Sequence, residues 1–192
     1  MGIARAQVAA LFAPEFAAAP PPVVWLESPS PFTFYADPFG LWHQERLYVF
    51  VESYDYRDKH GRIDVHTYDK NLNWLWREEA LRKDFHLSYP YLWAEAGEIY
   101  MLPESHRSGY LTLYRARAFP LGWEPVCDIL DLPAIDASLT HWQGRYWLFF
   151  ALPDDPLAAL HLAYADRLTG PWQLHPHNPV LRDPTRARMG GT

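Results

Sequence analysis

The sequence predicts an all-β propeller, and three observations predict it: an internal repeat of about fifty residues, short apolar strands joined by polar turns, and an excess of aromatic side chains. The repeat emerges when Asp37-Pro-Phe-Gly-Leu-Trp42 is aligned with Tyr89-Pro-Tyr-Leu-Trp93 and with Asp136-Ala-Ser-Leu-Thr-His-Trp142. The starts lie 52 and 47 residues apart. A small sheet of three or four strands cannot bury both its faces alone, so such units stack on one another around an axis.

Each unit runs through the same elements. A first strand ends in tryptophan and meets a polar turn: His43-Gln-Glu-Arg46, Glu95-Ala-Gly-Glu98 or Gln143-Gly-Arg145. A second strand of aromatics and aliphatics follows, LYVFV (47–51), IYML (99–102) or YWLFF (146–150). A third comes next, IDVHTY (63–68), LTLY (111–114) or LHLAY (160–164), and Trp76, Trp123 or Trp172 closes the unit. Strands of alternating or wholly apolar pattern joined by hairpin turns leave little room for helix. The blades fall near 33–80, 85–130 and 132–178, with the start of a fourth at 183–192.

Composition bounds the function. The 192 residues are a one-domain length, long enough to bury roughly 70% of the surface an unfolded chain exposes. Aromatics make up 16% of the chain, which suits strands and surfaces that stack on planar or sugar rings. Net charge is −6 with no run of Lys or Arg, so nucleic acid is not the expected partner. Cys127 stands alone, which excludes an intrachain disulfide and a thiolate zinc cage. The nine His show no metal-ligand spacing, and His175-Pro-His177 reads as a solvated loop. Phosphate loop, GxSxG elbow and dinucleotide fingerprint are absent, and no cofactor or metal is expected.

Residues 1–22 read as an appendage: a short amphipathic helix followed by the stiff linker Ala-Ala-Ala-Pro-Pro-Pro, with a faint signal-peptide character that Pro14 and Glu15 interrupt. No segment approaches the ~20 apolar residues of a membrane span, and a cytoplasmic location is the expectation.

The stretch FTFYADPFG (32–40) places a carboxylate, Asp37, inside an aromatic run and follows it with a proline that removes a ladder donor. A strand-end turn is one reading. The repeat supplies another. First strands line the channel of a propeller, so equivalent positions on different blades converge at one height. Asp37, Tyr89 and Asp136 then form a ring, with Glu52 and Glu104, each fifteen positions further on, at the ends of second strands nearby.

Taken with ADPF, the segments HLSYPYLW (86–93), EIYMLPES (98–105), IDAS (135–138) and LTGPWQLHPHNPV (168–180) carry a resemblance. They resemble the five-bladed propeller domain at the N-terminus of glucosamine inositolphosphorylceramide transferases and bacterial relatives, some described as formyltransferase-like. More distantly they are similar to the five-bladed propellers of family 43 glycoside hydrolases. The resemblance covers residues 23–192 and implies a five-bladed propeller of which this chain carries about three blades.

The resemblance also implies roles. Asp37 matches the general base on the first inner strand, and Asp136 is the best match for a second Asp that tunes and orients the acid. The acid itself, a Glu on a later blade, has no matching position here, and Glu104 is a substitute without motif support. Inverting hydrolysis needs roughly 6.5–9.5 Å between the carboxyls. Arg188 matches an Arg-x-Gly-Gly run and clamps an anionic or hydroxyl-rich group, or else pairs with a neighbouring carboxylate. Simpler roles compete elsewhere: a turn for Asp136, a solvated strand end for Glu104, and a packed pair beside the channel for His86 and Tyr89.

Two function classes follow. One is a carbohydrate-active domain of a glycosyltransferase or glycosidase-like enzyme, with Asp37, Asp136 and Glu104 at its centre and Glu52, His86, Tyr89 and Arg188 on the substrate. The other is a glycan-binding propeller that leaves chemistry to a separate transferase domain. The expected partners are a glycan or glycolipid headgroup and further blades or a fused domain.

Overall fold

In the computed structural model, residues 1–13, 16, 18–28 and 30–188 are described. Three antiparallel four-stranded sheets follow one another along the chain. The first is β3 (Thr33–His43), β4 (Arg46–Asp55), β5 (His60–Tyr68) and β6 (Trp74–Leu81). The second is β7 (Ser88–Glu95), β8 (Glu98–Glu104), β9 (Leu111–Ala118) and β10 (Leu121–Leu130). The third is β11 (Ile135–Trp142), β12 (Arg145–Ala151), β13 (Ala159–Ala165) and β14 (Gln173–Leu174), with β15 (Leu181–Arg182) also paired to β13. The fold is an all-β propeller of three blades, and among the described residues the sheets do not close a ring. Residues 189–192, the end of the expected fourth-blade start, lie outside the described residues.

The first hairpin of every blade is built alike. Its two loop residues are left-handed: Gln44 and Glu45 (φ 47° and 62°), Ala96 and Gly97 (51° and 83°), Gln143 and Gly144 (51° and 75°). Two consecutive positive φ values make a type I′ turn, whose twist matches the right-handed twist of the flanking strands. That geometry fixes the register of each inner strand against its neighbour, and hence which side chains reach the centre.

Blades stack by one repeated surface. Leu47 and Val49 on β4 correspond, 52 residues on, to Ile99 and Met101 on β8, and after 47 more to Tyr146 and Leu148 on β12. Ile99 and Met101 pack against Tyr48, Phe50, Ile63 and Val65 of the first blade. Tyr146 and Leu148 pack with Tyr91, Leu102 and Leu113 of the second. Fully buried side chains such as Phe50, Met101 and Phe150 each contribute about 1.5–3 kcal/mol, which is what holds the blades together.

On the first blade the corresponding face is covered differently. Leu47, Val49, Val51 and Tyr68 are packed by Met1, Ile3, Val24 and Leu26. Those residues belong to or flank β1 (Gly2–Ala4) and β2 (Val23–Trp25), which pair antiparallel. Beside this cover lies a cleft of about 630 Å³ lined by residues including Trp25, Trp74, Trp76, His66 and Arg77. The amphipathic helix expected in residues 1–22 is a 3-10 helix over Val8–Phe12, and its positions 14, 15 and 17 lie outside the described residues. No helix among the described residues is long and apolar enough to cross a membrane.

Candidate functional site

The three residues that the repeat places in a ring share a rare backbone state. Asp37, Tyr89 and Asp136 are left-handed, with φ of 49°, 44° and 49°. Each sits where its inner strand loses register with the next strand, between Ala36 and Phe39, Ser88 and Tyr91, and Ile135 and Ser138. These are β-bulges, which leave a residue out of the ladder and re-aim a side chain. A bulge also explains Pro38 and Pro90, since a proline beside an unpaired position removes no ladder bond. Left-handed backbone is tolerable for Asp but unusual for Tyr, and such strain persists only where surrounding structure fixes it. For Tyr89 the fixing contacts are a buried hydrogen bond of its hydroxyl with Ser138 Oγ, 2.9 Å, and an edge-on contact with Phe39, 4.8 Å between ring centres.

The bulges also free backbone amides, and carboxylates of the preceding blade accept them. Tyr89 N–H donates to Asp37 Oδ2 at 3.3 Å, and Asp136 N–H donates to Glu104 Oε2 at 3.2 Å. Asp37 and Glu104 are thereby held across the two blade seams. Glu104 ends β8 opposite Ser88, whereas Glu52, expected at a strand end, lies within β4 opposite Ala36 because β4 pairs on to Asp55; both are buried, and the third blade has Ala151 at that position.

Three nitrogen-bearing side chains complete the cluster. Arg188 Nη2 donates to Asp136 Oδ2 at 2.9 Å, with its own side chain half exposed. His86 Nε2 lies 3.4 Å from Glu52 Oε1, while its Nδ1 accepts the Gly61 N–H at 3.0 Å. His106 Nδ1 is 2.7 Å from Glu104 Oε1.

The carboxyls perturb one another. Burial, then the charges of Asp37, Glu104 and Asp136, pushes Glu52 up to about 7. Burial is also the main cause for Asp136, whose pKa is raised further by Glu104 and pulled back by Arg188. Asp37 is raised by burial, with the Tyr89 amide opposing. Burial lowers His86, so its imidazole is neutral at pH 7. The site therefore combines ionisable carboxyls of unequal basicity with a cation at its edge, the pattern of acid–base sites. Among the described residues no group of His, Cys, Asp or Glu is arranged to hold a metal ion.

Asp37, Glu52, His86, Glu104, Asp136 and Arg188 thus lie in one network of hydrogen bonds and charge interactions, and Tyr89 joins it through its backbone. Sequence reasoning missed Gly61, Ser138 and His106. Gly61 stands in the strand β5, where a Cβ would meet His86 Cε1 at 2.5 Å and the Leu87 carbonyl at 2.6 Å. His106 stands two residues after Glu104, the one signal that could have exposed it.

The fold is the propeller fold seen in family 43 glycoside hydrolases. Two solved structures share this arrangement: the family 43 protein BlXynB from Bacillus licheniformis (TM-score 0.60, 19% identity, 78% of this chain and 31% of that one) and Zg3597, a family 117 glycoside hydrolase from Zobellia galactanivorans (TM-score 0.64, 16% identity, 79% and 58%). More specifically, the chain belongs to the family described as glucosamine inositolphosphorylceramide transferase 1, N-terminal, which matches residues 21–192. It is 36% identical over 168 residues to glucosamine inositolphosphorylceramide transferase 1 of Oryza sativa subsp. indica and 35% identical over 170 residues to that of Arabidopsis thaliana. The match takes in 84% of this chain but only 23% and 22% of those relatives.

Proposed function

We propose that the bulged inner strands form the sugar-handling site of a carbohydrate-active enzyme, glycosyltransferase or glycosidase-like, that acts on a glycan or glycolipid headgroup. The observation that carries this reading is the placing of Asp37 and Asp136 on equivalent left-handed bulges, tied to Glu52 and Glu104 by charge and hydrogen bonding. Asp37, with one oxygen on the Tyr89 amide, serves as general base toward water or an acceptor hydroxyl. Asp136, held by Arg188, sets the protonation of its neighbours. The names of the relatives, sugar transferases in plants and glycoside hydrolases among the solved propellers, support the substrate class.

A second reading is a glycan-binding propeller serving a transferase domain elsewhere in the chain. The relatives favour it, because this region spans only 23% of their length. A glycan array with the full-length protein, followed by turnover assays on the hits, decides. Asp37→Asn lowers binding or turnover by at least ~10-fold under either reading. For a binding module Asp37→Asn and Tyr89→Ala weaken affinity in parallel and no turnover exists to lose. Unchanged binding and turnover in Asp37→Asn overturns both.

A further inference from the structure

We infer that Glu52, positioned by His86 and Gly61, is the proton donor of this site, and that Glu104 is the carboxylate that anchors the Asp136 backbone. The inference rests on the carbohydrate-active reading given above.

The hydrogen-bond directions carry it. Gly61 N–H can only donate, so His86 Nδ1 must present its lone pair. A neutral imidazole then carries its proton on Nε2, which lies 3.4 Å from Glu52 Oε1. Oε1 is therefore the oxygen that faces the imidazole N–H, and Oε2 is left to hold a proton. The close approach needs a glycine, since a Cβ on residue 61 would overlap the His86 ring. Leu87 N–H donates to the Gly61 carbonyl at 2.9 Å, which locks the same two segments together from the other side. Glu104 is engaged differently. Its Oε1 faces His106 Nδ1 and its Oε2 accepts the Asp136 amide, so both oxygens are engaged by groups of the protein.

The surroundings favour a neutral Glu52. Asp37 from β3, Glu104 from β8 and Asp136 from β11 all oppose its ionisation, and burial holds its pKa near 7. Burial lowers the His86 imidazole, Glu104 opposes that, and Arg107, His106 and His60 add to it. In the transfer step the bond between the anomeric carbon and the leaving oxygen breaks, and its electron pair goes to that oxygen. The oxygen takes the proton from Glu52 Oε2. Water or an acceptor hydroxyl forms the new bond to carbon and gives its proton to Asp37. Glu52 ends as a carboxylate whose Oε1 faces His86 Nε2–H.

The test uses the full-length protein with 2,4-dinitrophenyl and methyl N-acetylglucosaminides, xylosides and arabinofuranosides, together with ¹³C NMR titration of labelled carboxyls. A 2,4-dinitrophenolate leaves without help and a methoxide does not. Glu52→Gln is therefore expected to slow the methyl glycosides by at least ~100-fold and the dinitrophenyl glycosides by less than ~10-fold. Of the two carboxyls raised to about 7, Glu52 and Asp136, only the Asp136 titration remains in the same variant, and His86→Ala moves the basic limb of the pH–rate profile to higher pH. Equal losses on both leaving groups overturn the assignment, as does a Glu52→Gln variant that keeps both neutral carboxyl titrations. The two levels separate cleanly. Full activity in Asp37→Asn defeats the reading of the site, whereas loss in Asp37→Asn with full activity in Glu52→Gln defeats only the donor assignment.

Discussion

The backbone amide of Tyr89 donates to Oδ2 of Asp37 at 3.3 Å, across the seam between the first two blades. One carboxyl therefore does two things: it satisfies an amide that a bulge removed from the ladder, and it keeps a second oxygen for the site. The same seam recurs between Glu104 and Asp136. Position 37 thus has separable demands, an acceptor oxygen, a backbone that tolerates φ of 49°, and a charge.

Asn meets the first two demands and Val meets neither. Asp37→Asn is expected to leave stability within about 0.5 kcal/mol of the parent while ligand binding or turnover falls. Asp37→Val loses the acceptor and forces a β-branched residue into the left-handed region, at a cost of about 2–3 kcal/mol. Urea denaturation of both variants checks this. Equal stability of Asn and Val would mean that the bulge places no demand on residue 37.

Gly61 is tested by one methyl group. Gly61→Ala pushes a Cβ against the His86 ring and the Leu87 carbonyl, and the carbonyl is backbone that cannot swing aside. Overpacking of this kind costs about 1–3 kcal/mol. The Nδ1 resonance of His86 should also lose the signature of a hydrogen-bond acceptor. A variant of parental stability with an unchanged His86 spectrum would show that the close approach matters to neither.

Much of this architecture is legible in the sequence, and the reason is periodicity. Trp42, Trp93 and Trp142, the polar turns after them and the apolar second strands repeat with the chain, so blades and hairpins can be aligned without a structure. The ring of Asp37, Tyr89 and Asp136 follows from the same alignment. What the alignment does not reveal is the left-handed bulge, because Tyr89 at the central position argues against positive φ. The His86–Glu52 contact joins residues 34 apart through the backbone of Gly61, and no local pattern encodes it. The pairing of Gly2–Ala4 with Val23–Trp25 is hidden too, since three-residue strands are too short to show a period and the Pro-rich stretch before Val23 reads as a spacer.

Stability should vary with pH in two windows of opposite sign. Glu52 is raised from 4.5 to about 7, so between those values the folded state holds a proton that the unfolded state has released. Stability from this group is present at low pH and is lost as pH rises through about 7. Asp37 and Asp136, also raised, add in the same direction. His66 is lowered from 6.5 to about 4, by burial first and Arg77 second, so the unfolded state binds the extra proton between those values. Its contribution is lost as pH falls. Chemical denaturation from pH 4 to 8 should therefore show stability falling as pH rises from 4.5 to about 7, a fall that Glu52→Gln reduces by ~2 kcal/mol. His66→Phe should instead reduce the acid-side loss. A fall between pH 4.5 and 7 that is unaltered in Glu52→Gln would count against a raised Glu52.

Arg188 offers the sharpest separation of support from function. Its guanidinium reaches Asp136 at 2.9 Å, but half of its side chain is in solvent while Asp136 is buried. An exposed partner gains little from such a pair, so Arg188→Ala should change stability by less than about 1 kcal/mol. The effect on Asp136 is larger in kind. Without the arginine, burial and Glu104 act on it unopposed, and its pKa must rise further. Carboxyl NMR should show that rise directly, while affinity for the glycans found on the array falls ~10-fold as the site loses its cation. Arg188→Lys should restore the Asp136 titration more fully than it restores binding, because an ammonium supplies charge without the planar fork that engages two acceptors at once. If Arg188→Ala instead unfolds the protein by several kcal/mol and leaves the Asp136 titration where it was, the arginine is a structural tie between the third blade and the segment that carries it.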